Sequence, residues 1–250
     1  MTSQHALHAL PQEQVRALWD FADPGASARR FAAAADDLTL PAAHRDELRT
    51  QQARALGLAG DRASAEALLN GLDSVDDVVH VRVLLERGRI LNSAGLPRAA
   101  VPLFRQAADL AEHVRSTHLA VDALHMLAIA DEGHEEGWSR DALAVVASAE
   151  DPETRRWATS LHNNLGWHLH DAGRLDEALV EFRLAHVASQ ETGTTEQEQI
   201  ARWAVARCLR SLGRTDEALE LQRELLTERP DDEDVRSEIA ALEGNGPTAP

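Results

Sequence analysis

The side chains best able to do chemistry in this 250-residue chain are its twelve histidines, its one cysteine and its arginines. Asp122 and His125 stand three apart, the spacing at which an aspartate on a helix can orient an imidazole as a general base. No nucleophile with an oxyanion-hole pattern accompanies them, and the same spacing commonly makes a local surface pair. His162, His168 and His170, with His125 and His134 elsewhere, raise the question of a metal. His168 and His170 are two apart and leave a helix in different directions, and no His-Glu-x-x-His pattern occurs. No metal site, no cofactor and no catalytic residue is therefore expected, and the chain reads as a non-enzyme. Cys208 has no partner for an internal disulfide and reads as a small packing residue in a reducing cytoplasm.

All 25 basic residues are arginine. Without lysine there is no Schiff-base amine, no phosphate-loop ammonium and no lysine general base. The absence of both Lys and Tyr matches the GC-rich coding bias of some bacteria. A formal charge of -17 repels phosphate backbones, and no basic stripe offsets it, so a nucleic-acid partner is not expected. No run of eighteen apolar residues occurs and the start lacks a signal pattern, so neither membrane spanning nor export is expected.

The elements that must position these groups are legible in a repeat. A glycine is followed five residues later by alanine at Gly60/Ala65, Gly95/Ala100, Gly137/Ala142, Gly173/Ala178 and Gly213/Ala218. A bulky or long residue follows each alanine by four: Leu69, Phe104, Val146, Phe182 and Gln222. A small or apolar residue follows by seven: Leu72, Ala107, Ala149, Ala185 and Leu225. These offsets mark one helical face. The glycine ends a first helix in a tight turn, and the alanine lets the second helix approach closely. The segment Asn164-Leu165-Gly166-Trp167-His168-Leu169, with Gly173, Ala178, Phe182 and Ala185, resembles the tetratricopeptide repeat at its Leu-Gly, turn-Gly, Ala, Phe and Ala positions. Arg87 and Gln52 stand where that family has leucine, and the stretch from Asp131 to Gly137 is irregular.

The resemblance implies an all-α, right-handed α-solenoid of about six antiparallel helix hairpins. The expected organisation is a flexible N-terminus over 1–11 and a single repeat domain over 12–243, followed by a disordered tail over 244–250. Hairpins are expected at 12–38, 42–72, 77–113, 117–150, 152–192 and 195–229. Val235, Ile239 and Leu242 at helical spacing predict a capping helix over 231–243.

In the family, the first helix of each hairpin lines a concave groove. Carried over by position, the ligand-facing residues are Arg82, Leu85, Arg89 and Asn92, then Ser160, Asn163, Trp167 and His170, then Ile200, Trp203, Arg207 and Arg210. In the irregular third hairpin, Asp122, His125 and Ile129 share one face. Two readings of this stripe stand. In one, arginine forks, tryptophan faces and asparagine amides receive an acidic or C-terminal peptide segment, as in an adaptor or scaffold. In the other, the arginines pair with the chain's own Asp and Glu and the tryptophans pack between helices. The same groove could also serve a sensor of a peptide or small acid, and oligomeric state is open.

Overall fold

The computed structural model describes residues 9–244, and every regular element among them is helical. The parts of the expected flexible terminus and disordered tail at 1–8 and 245–250 lie outside the described residues. In chain order the helices are α1 (Gln12–Leu18), α2 (Pro24–Ala35), α3 (Ala42–Leu58), α4 (Arg62–Asn70), α5 (Asp77–Ser93), α6 (Pro97–His113), α7 (Thr117–Ala130) and α8 (Glu135–Ser148). There follow α9 (Pro152–Arg155), α10 (Trp157–Asp171), α11 (Leu175–Thr192), α12 (Thr195–Ser211), α13 (Thr215–Glu228) and α14 (Glu233–Leu242). The chain divides into two compact units, Met1–Val145 and Val146–Pro250, the division falling within α8.

In the first unit α2 packs on α3, α3 on α4, α5 on α6 and α6 on α7, while the first helices α3, α5 and α7 lie side by side. The second unit repeats the scheme with α10 and α11, α12 and α13, and α14 closing against α13 and α12. This is the tetratricopeptide-like pattern of antiparallel helix pairs. Aspartates at 23, 61, 76, 151 and 232 accept from first-turn amides, and Thr194 with Gln197 forms a complete capping box. Leu10, expected in the flexible terminus, is buried, and its amide donates to Glu47 Oε1 at 2.9 Å.

Most turns follow the expected chemistry. At Gly173 φ is +75°, and the Arg174 amide reaches back to the Leu169 carbonyl at 2.9 Å, closing a Schellman-type cap. The alanines five residues after the turn glycines, Ala65, Ala100, Ala178 and Ala218, are fully buried. The third hairpin corrects the expected register. Gly133, with φ +85°, makes the left-handed turn there, and Gly137 lies inside α8. The second helix still starts two residues after its glycine, as it does after Gly60, Gly95, Gly173 and Gly213, so Ala142 falls one turn deeper into α8 than the other alanines do in their helices and is still buried. Between α6 and α7 the same cap geometry falls on Arg115, φ 58°, the one non-glycine in that region among the described residues. A Cβ there costs about 1 kcal/mol.

The seams are set by close approach. A Cβ on Gly88 would stand 2.3 Å from the ring of Phe104, and one on Gly166 would stand 2.6 Å from the ring of Phe182. Each phenyl ring therefore occupies the space a side chain would take on the facing helix. In the last pair the aromatic position holds Gln222, fully buried, with neither amide atom bonded. Two outcomes follow for urea denaturation. Gly166→Ala is expected to lower stability by about 1–3 kcal/mol, a loss partly recovered by adding Phe182→Leu. Gln222→Met is expected to raise it by about 1–3 kcal/mol by removing an unsatisfied buried amide.

Candidate functional site

In the first unit the predicted stripe is a buried charge lattice. Glu47, Gln51 and Arg54 share one face of α3, and Arg82, Glu86 and Arg89 share the matching face of α5. Asp122 and His125 continue it on α7. The Arg82 Nε donates to Glu47 Oε2 at 3.0 Å. Arg89 donates to Glu86 on its own helix and to Asp122 on the next. Glu47, Arg82, Glu86 and Asp122 are all at most 5% exposed. The Arg54 guanidinium lies over the Trp19 ring, 5.5 Å from its centroid, while Trp19 Nε1 donates to Gln51 at 3.2 Å. Three guanidiniums thus meet three carboxylates, and the face is neutral when all are ionised.

Burial and pairing pull these groups in different directions. Burial disfavours the Asp122 carboxylate, but the charges of Arg89 and Arg54 outweigh it and hold the carboxyl well below its usual range. Burial raises Glu86 against the pull of Arg89 and Arg54. Burial also lowers Arg54, helped by repulsion from Arg89. His125 is lowered to about 4 by burial, with Asp122 opposing the shift. Asp122 gives one oxygen to Arg89, and its pull on His125 does not offset the burial that favours the neutral imidazole. Asn92, at the C-terminal end of α5, serves the turn that follows: its carbonyl accepts the Gly95 amide at 3.0 Å.

The second unit brings its predicted residues into one cluster on α10 and α12. Trp167 stands edge-on to Phe182 at 4.9 Å and to His170 at 5.3 Å, and lies 6.0 Å from Trp203. His170 Nε2 lies 2.9 Å from Ser211 Oγ, and Arg207 donates to the same oxygen at 3.2 Å. Arg207 and Arg210 share the single carboxylate of Glu238 on α14, at 3.3 and 2.8 Å. Three polar atoms on these helices are buried and unbonded: Asn163 Oδ1, Trp203 Nε1 and, one turn before Asn163 on α10, Thr159 Oγ1. Trp203 also lines a cleft of about 490 Å³ with Gln199, Ile200, Arg229, Asp232 and Val235. His162, by contrast, faces Glu181 at 2.7 Å. Among the described residues no group of three His, Cys, Asp or Glu could hold a metal ion. Burial pushes the Cys208 thiol up, and its Sγ donates to the Leu175 carbonyl at 3.4 Å.

The residues that complete these sites, Glu47, Gln51, Arg54, Glu86, Trp19 and Glu238, are not among those the sequence singles out. A signal exists for the first four. Arg54, Arg89 and His125 recur at steps of 35 and 36 residues, as do Gln51, Glu86 and Asp122, and Glu47 stands 35 before Arg82, so complementary charges fall at equivalent or adjacent positions of successive helices. Glu238, on the capping helix, has no such period.

The lowered His125 ties stability to acid. The folded imidazole stays neutral down to about pH 4, whereas the unfolded one takes a proton near 6.5. This stabilisation is whole above pH 6.5 and is lost as pH falls towards 4. Between pH 7.5 and 4.5, His125 is expected to account for about 2.5 kcal/mol of the lost stability. Urea denaturation at the two pH values, wild type beside His125→Gln, measures that difference; equal losses in both proteins would refute it.

No family model matches this sequence, and comparison with curated proteins finds no match. The crystal structure of BtubC (BKLC) from P. vanneervenii aligns at a TM-score of 0.63, with 16% identity over 93% of this chain and 96% of that one. A thermophilic TPR protein of Thermus thermophilus aligns at 0.47, with 22% identity over 79% of this chain and 98% of that one. The apo form of the quorum sensor NprR from B. thuringiensis aligns at 0.35, with 13% identity over 93% and 78% of the two chains. The last two carry no weight at those TM-scores. No helix among the described residues is long and apolar enough to cross a membrane. What the first likeness establishes is the fold, a chain of tandem helix hairpins.

Proposed function

We propose that this protein is a non-catalytic interaction module that holds a segment of a partner protein against the α10–α12 face. The observation that carries the reading is that, among the buried, unbonded polar atoms there, Asn163 Oδ1 and Trp203 Nε1 belong to the residues grouped with the Trp167 ring. One accepts and the other donates, which suits the N–H and C=O groups of an extended backbone. Leaving both desolvated costs about 1–3 kcal/mol each, a cost that a bound segment removes.

The acidic preference rests on this face and not on the α3–α5–α7 lattice. In the lattice Arg82 and Arg89 already have carboxylates. Arg207 and Arg210 share one, Glu238, so a second carboxylate can join them without leaving an excess of negative charge. The acidic residue or C-terminus of the partner segment therefore sits at the Arg207 and Arg210 end of α12. Its other end lies against the cleft walled by Asp232, where an acidic group is unwelcome.

Affinity capture from lysate with quantitative mass spectrometry tests this, using wild type, Trp203→Phe with Asn163→Ala, and Arg207→Glu with Arg210→Glu. A partner retained by wild type is expected to fall about tenfold with either variant. Equal recovery by all three proteins would remove the α10–α12 face from the reading.

A further inference from the structure

A mostly apolar cavity lies on other residues altogether. It encloses about 680 Å³ between α6, α7 and α8, and its floor is Ala108, Ala111, Ala120, Leu124, Leu127 and Trp138. Pockets that enclose small molecules run from about 300 to 1,000 Å³ and have this apolar character. One end is closed by Trp138, whose ring faces the Arg105 guanidinium at 5.4 Å and whose Nε1 donates to Asp131 at 2.9 Å. Arg105 is itself paired with Asp131 at 2.9 Å, so that end offers no unneutralised charge.

The other end is different in kind. Arg115, Ser116 and Thr117 line it, where α6 gives way to α7. Arg115 holds the left-handed backbone position that glycine takes at Gly60, Gly95, Gly173 and Gly213. Its amide closes the turn on the Glu112 carbonyl at 3.0 Å, while its guanidinium has no hydrogen bond or ion pair among the described residues. An arginine carried in a conformation suited to glycine, with an unengaged cation at a cavity mouth, is a local cost without a local return. The N-terminus of α7 points its positive dipole end to the same place, and Ser116, at its N-cap, makes no side-chain capping bond.

Asp109 and Glu112 stand along the α6 side of the rim. They disfavour an anion anywhere except beside Arg115, and so fix one orientation for an occupant. From Arg105 to Arg115 the α6 wall runs about 15 Å, the length of a short aliphatic chain.

We propose that this cavity binds a small anionic amphiphile, its apolar body against Leu124, Leu127 and Trp138 and its single acid group on Arg115. A cationic or neutral headgroup leaves Arg115 unpaired and gains nothing from the α7 dipole. This site is independent of the α10–α12 reading, and either can fail alone.

Isothermal titration of the full chain with decanoate, against decyltrimethylammonium as the same chain with reversed charge, tests it. Wild type is expected to bind one decanoate, about tenfold more tightly than the cation. Arg115→Gly is expected to raise the melting temperature without ligand, by relieving the left-handed side chain, and to weaken decanoate about tenfold. Ala108→Phe and, separately, Ala120→Phe fill the cavity and should abolish binding with helical circular dichroism retained; two positions guard against one of them failing to fold. No saturable binding of decanoate below about 1 mM would overturn the proposal. So would unchanged decanoate binding in Arg115→Gly, or in a folded cavity-filling variant.

Discussion

The structure depends on a phenyl ring occupying the place of a missing side chain. Phe104 lies where Gly88 would carry a Cβ, and Phe182 lies where Gly166 would. That contact sets the distance between the two helices of a pair, and the buried alanines at 100 and 178 set it again one turn away. Once the pairs are this close, the first helices of successive pairs come side by side, and whatever projects from their shared face must pack or pair. The stripe of arginines, acids and tryptophans is therefore a consequence of the seam behind it.

The two units resolve that demand differently. On α3, α5 and α7 the charges neutralise one another across helices, although Arg82 Nη2 is itself buried without a partner. On α10 and α12 aromatic rings replace most of the charge, and Thr159 Oγ1, Asn163 Oδ1 and Trp203 Nε1 are buried without partners. The first arrangement is dominated by ion pairs and the second by rings, although both occupy the same positions of the same repeat.

The hairpins were legible because glycine, alanine and a bulky residue mark each at fixed offsets. The third pair misled by coincidence: Gly137 also stands five before an alanine, and only the backbone shows that Gly133 makes the turn. The site was less legible for a physical reason. Arg82 and Arg89 look available along α5 alone, and their neutralising partners Glu47 and Asp122 lie 35 and 33 residues away on other helices. Comparing equivalent positions between repeats would have found the lattice. It would not have found Glu238, which belongs to a helix outside the period, nor the exposed Arg115, which stands out in backbone conformation alone.

The charge lattice also bears on how such a chain avoids folding wrongly. Units of similar shape can stack out of order, a hazard of repeat architectures. Here each inner helix carries a different charge sequence: acid, amide and base on α3, base, acid and base on α5, acid and histidine on α7. If α5 skipped its neighbour, Arg82 would be buried without Glu47 or Asp122 without Arg89, and an unpaired buried ion costs about 3–5 kcal/mol. The lattice is a set of keys that differ from one helix to the next, so a wrong neighbour leaves a buried ion without the partner it has in this structure.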